Sequence, residues 1–134
     1  MPFSIDSYFV IVNRHPTLNG RKEAKNTADG ESIIVSITVQ EAGWYLTMFN
    51  VCHCGADNGA IKAGACWSVS GPGVNTTARD SLNIPISKAW DDSNSVCMIS
   101  ALYEGNNEYK FTNHTGIATN AEYNSAFNIF SIKI

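Results

Sequence analysis

Cys52-His53-Cys54 brings two thiols and an imidazole into one short run, and these are the ligand types that suit zinc. On an extended strand, however, successive side chains face opposite ways, so His53 turns from Cys52 and Cys54 unless the chain bends. Gly55 could supply a bend, and Cys66 could approach if Asp57-Asn58-Gly59 closes a hairpin. The Cys-x-x-Cys spacing of structural zinc sites is absent. Small residues at a loop edge are the stronger reading of Cys52, His53 and Cys54, and no metal or other cofactor is expected.

Hydrolytic chemistry finds less support. His15, His53 and His114 fall in expected loops or at strand ends, where a solvated imidazole is the ordinary state, and no Gly-x-Ser-x-Gly elbow presents a nucleophile. Glycoside hydrolysis wants two carboxyls about 5 to 10 Å apart across a cleft. Asp91 and Asp92 are neighbours in one expected loop, and Glu104, Glu108 and Glu122 are scattered among turns. Gly71-Pro72-Gly73 lacks the lysine and following helix of a phosphate loop. No enzymatic activity is expected.

Binding chemistry is better served. Trp90 lies in the polar run Lys88-Ala89-Trp90-Asp91-Asp92-Ser93-Asn94, where an indole face can stack on a sugar ring while Asp91 and Asp92 hold its hydroxyls. The competing reading has Trp90 capping one end of the fold. Asn106, Asn107 and Tyr109 form a second polar–aromatic group. Trp67 alternates with Ile61, Ala63, Ala65 and Val69 and reads as core; Trp44 reads as core or interface.

The elements that must carry these residues are strands. Tyr8 to Val12, Trp44 to Val51, Val96 to Tyr103 and Ala126 to Ile134 are apolar at both odd and even positions. Ser32 to Gln40, Ala60 to Val69, Leu82 to Ser87 and Tyr109 to Thr112 alternate instead, as half-buried strands do. Gly, Asn, Asp and Pro punctuate them, and a short edge strand is possible within the polar stretch Asn13 to Glu31. Asn75 to Leu82 reads as a loop running into a strand. The whole predicts an all-β sandwich. One sheet then has a wet outer face, while the other, apolar on both sides, needs a second subunit to cover it.

Composition bounds the possibilities. The 134 residues suit a single domain spanning 1–134, and 44% hydrophobic against 16% charged residues is a folded composition. With a net charge of −3 and one small cluster, Arg21, Lys22 and Lys25, the chain lacks the clustered cations of a nucleic-acid binder. No apolar run approaches the roughly 18 residues of a membrane helix, so no membrane insertion is expected. Met1-Pro2-Phe3-Ser4-Ile5-Asp6 carries an acid where a signal peptide would be basic. That favours either the head of something longer or a virion protein, folded in the cytoplasm and released by lysis. Cys52, Cys54, Cys66 and Cys97 are expected as free thiols of a chain folded in a reducing cytoplasm, a Cys52–Cys54 bond being geometrically poor.

Three segments carry a resemblance. Val39-Gln40-Glu41-Ala42-Gly43-Trp44-Tyr45-Leu46 resembles the Gly-x-Tyr strand of the tumour-necrosis-factor and complement globular-head jelly rolls. Ile99 through Tyr109 resembles their Leu-x-x-Gly-Asp-x-Val turn, with Asn106 in place of Asp. Ser125-Ala126-Phe127-Asn128-Ile129-Phe130-Ser131-Ile132 resembles their Ser-x-Phe-x-Gly-Phe strand, with Ile129 in place of the glycine. The resemblance implies a ten-strand, two-sheet jelly roll whose inner sheet packs three copies around an axis. The doubly apolar segments fall on that sheet, and the expected trimer interface draws on Tyr8, Tyr45, Phe49, Tyr103, Phe127, Phe130 and Ile132. There is no collagen-like stalk, membrane anchor or calcium-binding carboxylate cluster. Similar trimeric tips occur in phage tail fibres and spikes, and the Asn/Gly/Ser/Thr-rich chain suits that setting. The expectation is a homotrimeric receptor-binding head, on a virion or otherwise extracellular, contacting a host cell-surface glycan or protein receptor through Trp90, Asp91, Asp92, Asn106, Asn107 and Tyr109. Its rivals are a secreted signalling or complement-type head, a structural trimerisation cap and, last, a polysaccharide hydrolase.

Overall fold

The computed structural model describes residues 17–25, 27–54, 64–76, 78–86, 92–116 and 123–134. Eight strands run along them: β1 (Leu18–Lys25), β2 (Ser32–Val39), β3 (Gly43–Cys54), β4 (Cys66–Ser70), β5 (Leu82–Pro85), β6 (Asp92–Leu102), β7 (Gly105–His114) and β8 (Asn124–Lys133). They form two four-stranded sheets, ordered β1-β8-β3-β6 and β2-β7-β4-β5. The pairings are nested and antiparallel: β1 with β8, β2 with β7, β3 with β6, β4 with β5. The first half of the chain thus lies against the second as one long hairpin. The added pairs β3–β8 and β4–β7 roll it into a sandwich, which is the jelly-roll arrangement.

Segment types sort by sheet. The doubly apolar segments in β3, β6 and β8 share the first sheet, and the alternating ones in β2, β4, β5 and β7 make the second. Tyr8 to Val12 lies outside the described residues, as do Ala60 to Ala63 and Ser87. β1 emerges within the polar 13–31 tract and fills the edge of the first sheet beside β8. Several strands exceed their apolar stretches: β3 continues past Val51 to Cys54, β6 begins at Asp92 rather than Val96, β7 runs from Gly105 to His114, and β8 begins at Asn124. Pairing of polar residues with neighbouring strands extends them, so Asp92 sits on a strand rather than in a loop, while His53 and His114 fall at strand ends, as expected.

Between the sheets an aromatic column sets the packing. Phe49 on β3 meets Tyr109 on β7 edge-on at 4.9 Å, and Trp67 on β4 meets Phe127 on β8 at 4.7 Å. Phe111 joins the two pairs, 5.3 Å from Phe127. Trp67 is wholly buried, as its alternation predicts. Such contacts add about 0.5–1.5 kcal/mol each beyond area burial. Truncating Phe49 to Ala would remove two of them and leave a cavity, at a cost of about 3–5 kcal/mol.

The column corrects the expected interface. Tyr45, Phe49 and Phe127 point into the sandwich and are core residues, 4%, 0% and 0% exposed. In β3 the odd positions Tyr45, Thr47, Phe49, Val51 and His53 face the second sheet, while Trp44, Leu46 and Met48 face outward. Tyr45 also donates its hydroxyl to the Glu41 carbonyl at 2.6 Å, closing the turn before β3. Of the expected set, Tyr103, Phe130 and Ile132 remain on the outside, and Tyr8 lies outside the described residues.

Candidate functional site

The outer face of the first sheet is divided crosswise. Strand pairing places residues in rows, and three successive rows are almost wholly apolar: Phe130, Met48 and Cys97; then Ile132, Leu46 and Ile99; then Trp44 and Ala101, with Ile134 bonded to Trp44 through its backbone N–H at 2.9 Å. Ile99 is 62% exposed and Trp44 59%, with Leu46 and Phe130 near 40%. Leu46, Met48, Cys97, Phe130 and Ile132 surround a shallow hollow of about 230 Å³. Three rows ~7 Å apart on three strands ~4.8 Å apart cover roughly 300 Å². That lies at the low end of the largest apolar patches of ordinary monomers and is somewhat over a third of one partner's share in a standard interface.

The next row changes character. Arg21, Asn128, Asn50 and Ser95 stand in register across all four strands. Arg21 Nη1 donates to Asn128 Oδ1 at 2.7 Å, Asn128 Nδ2 to Asn50 Oδ1 at 3.0 Å, and Asn50 Nδ2 to Ser95 Oγ at 3.0 Å. Cys52 Sγ donates to Asn50 Oδ1 at 3.2 Å, and Arg21 Nη2 to Glu23 Oε1 at 2.8 Å. This belt is polar, hydrogen-bonded along its length and partly exposed, so burial under an apolar partner would cost desolvation. It marks one limit of the apolar patch.

Beyond the belt lies an open groove of about 530 Å³, within the size range of small-ligand sites. Glu23 and Lys25 border it from β1, Asn124 and Ser125 from β8, Cys52 and Cys54 from β3, over a floor of Ala24 and Ala126. Asp92 opens β6 at this end, opposite His53 in register. The four cysteines carry no disulfide. Cys52 and Cys54 stand on the outer face while His53 points inward, 2% exposed, so the triplet assembles no zinc site. Among the described residues no group of three potential ligands could hold a metal ion. Burial pushes the His53 imidazole down to about 4, against a weaker opposing pull from Asp92.

The remaining sequence-predicted residues separate. Tyr109 is fully buried against Phe49, where burial pushes its phenol well up, and is unavailable to a ligand. Asn107 is 7% exposed and donates to the Tyr103 and Gly105 carbonyls at 3.1 and 3.0 Å, so it braces a turn. Asn106 is exposed beside Glu108. Leu102, close before it in the chain, pairs with Gly43 at one end of β3, and Asp92 pairs with His53 at the other. Ten residues of strand separate those ends, roughly 33 Å, so Asn106 and Asp92 cannot serve one small-ligand site within a single chain. Trp90, Asp91 and His15 lie outside the described residues.

Sequence reasoning missed the belt, because Arg21, Asn50, Ser95 and Asn128 carry no mutual spacing that betrays their register. The second sheet's outer face is polar, with Ser36, Thr38, Glu108, Lys110 and Ser68 exposed to varying degrees and Ile34 as its large apolar exception among the described residues. Ser68 Oγ and His114 Nε2 lie 3.1 Å apart there, but no carboxylate is bonded to His114 among the described residues. The pair is a cross-strand tie, not a triad.

No family model and no curated protein matches the chain. Solved structures share its outline. The globular domain of zebrafish complement 1qA protein is 13% identical with a TM-score of 0.48, over 86% of this chain and 95% of that one. Eiger TNF from S. frugiperda is 11% identical with a TM-score of 0.49, over 90% and 92%. A carbohydrate-binding module from Cellvibrio mixtus lichenase 5A, solved in complex with cellotriose, is 14% identical with a TM-score of 0.46, over 90% and 92%. The jelly roll itself is defined by the strand pairing of this chain, and these likenesses extend no further than the sandwich outline.

Proposed function

We propose that the protein is a self-associating binding head: a homotrimer held by the apolar rows of its first sheet, which carries a carbohydrate site at the polar end and serves at the tip of a phage tail fibre or similar virion structure. The observation that supports it most is the division of one sheet face into a roughly 300 Å² apolar patch and, beyond a hydrogen-bonded belt, a groove bordered by Glu23, Lys25, Asn124 and Ser125. The second sheet's polar outer face needs no cover. A closed cyclic assembly covers the patch on every copy without propagating into fibres.

Trp90, Asp91 and Asp92 are the proposed sugar-contacting group, of which Asp92 opens β6 at the groove end of the sheet. Three copies of a weak site would gain avidity through the assembly. No covalent chemistry enters this reading. Among the described residues no helix is long and apolar enough to cross a membrane.

Light scattering coupled to size exclusion tests the assembly. Three times the 14.6 kDa chain mass is expected, and a monomer at working concentration would sink it. Ile99→Asp and Phe130→Asp should each yield a folded monomer, because both side chains face outward. Trp90→Ala should abolish retention on glycan arrays while leaving the trimer intact. Unchanged attachment by that variant would leave a structural trimerisation cap as the function.

A further inference from the structure

His53 occupies the inner row Ala24–Ser125–His53–Asp92 at the groove end of the sandwich. From the opposite sheet, Trp67 Nε1–H donates to His53 Nε2 at 3.0 Å, the two rings meeting edge-on at 5.9 Å. An imidazole that accepts at Nε2 must carry its single proton at Nδ1. That N–H finds no partner among the described residues, and the Tyr123 ring covers the imidazole at 5.3 Å. The only lone pair of the neutral ring is therefore committed to Trp67. A second proton must go to Nε2, where it would confront the Trp67 N–H: two donors face to face in a buried site, beside an enclosed cation.

We propose that His53 is an acid-operated latch, whose protonation breaks the cross-sheet Trp67–His53 contact and loosens the end of the sandwich that borders the groove. Cys52 and Cys54, the chain neighbours of His53, line that groove, so its wall moves with the latch.

The surrounding groups define the response. Asp92, from β6, presents a carboxylate whose charge favours protonation. Tyr123, from the segment entering β8, is held neutral by burial, with the Glu31 charge acting in the same direction. Trp67 from β4, Ser125 from β8 and Ala24 from β1 do not titrate. Desolvation outweighs Asp92 in the closed form, so below the ordinary value of 6.5 the open form takes up the proton first. The ratio of open to closed then rises about tenfold per pH unit until the closed form titrates as well, on the order of 100-fold between pH 7.5 and 4.5.

Native-state hydrogen exchange of the whole chain, corrected for the intrinsic rate at each pH, reads this ratio at the amides of Val51 to Cys54 and Trp67 to Val69. Wild type should lose protection there by that factor at pH 4.5. His53→Gln, whose side-chain carbonyl can still accept from Trp67 but cannot titrate, should keep it. Equal loss in both proteins, or no loss in wild type, would overturn the latch. If His53→Gln does not fold, the Trp67 indole N–H resonance of the wild type decides: it should shift in step with His53 protonation, and an unchanged resonance across that titration refutes the proposal.

Discussion

Tyr109 shows how one side chain changes meaning between sequence and structure. Beside Asn106 and Asn107 it reads as a polar–aromatic ligand group, yet its ring closes the core against Phe49 and its hydroxyl finds no partner among the described residues. A buried, unsatisfied hydroxyl opposes folding, so Tyr109→Phe should raise stability by about 0.5–1 kcal/mol, seen as a higher melting temperature with glycan binding unchanged. Its neighbour Asn107 behaves oppositely: Asn107→Ala strips two bonds from the β6–β7 turn and should cost about 1–2 kcal/mol. His53 ties stability to pH. Because its folded value lies near 4 and its unfolded value near 6.5, the unfolded chain binds the proton first as pH falls through that window. The full contribution is present above about pH 6.5, and about 3 kcal/mol is lost by pH 4. Thermal melts should show that slope in wild type and its reduction in His53→Gln.

β1 is the element least evident from pattern and most dependent on contact. Its sequence, Leu18–Lys25, is polar at most positions, and only its ladder to β8 and its approach to β2 make it a strand. Gly20 is where that approach is tightest: a Cβ there would lie 2.4 Å from the Ser36 carbonyl oxygen, a backbone atom that cannot swing aside. Gly20→Ala should therefore displace β1 from β2 at a cost of about 1–3 kcal/mol, measured as a lower denaturant midpoint. Because Arg21 follows on the same strand, the shift should also loosen the Arg21–Asn128 bond of the polar belt. β6 makes the complementary point: its first four residues, Asp92 to Ser95, lack any apolar signal and become strand because β3 is long enough to pair with them.

At the scale of the molecule, the two sheets solve different problems. The second buries one face and leaves the other wet, while the first presents apolar rows on its exposed side as well. An assembly held by those rows depends on burial rather than covalent links, since the four cysteines carry no disulfide. Molar mass and melting temperature are accordingly expected to be the same with and without reductant. Exposed apolar area should also make association stronger as salt concentration rises, whereas an interface built on Arg21, Glu23 and Lys25 would weaken.

The sheet to which each described apolar segment belongs was legible in the chain itself, because period-two alternation depends on burial of one face or two, and that pattern survives without coordinates. So were the core position of Trp67 and the opposed directions of His53 and Cys52, which follow from local strand geometry. The sequence could not say which parity faces inward when both are apolar: Phe49 and Met48 are equally plausible core residues until the opposing sheet is in place. It could not bring Arg21, Asn50, Ser95 and Asn128 into one row, nor part Asp92 from Asn106 by the length of a strand. Those facts depend on register between segments far apart in the chain. Nor could it pair His53 with Trp67, since that contact exists only where the two sheets close on each other.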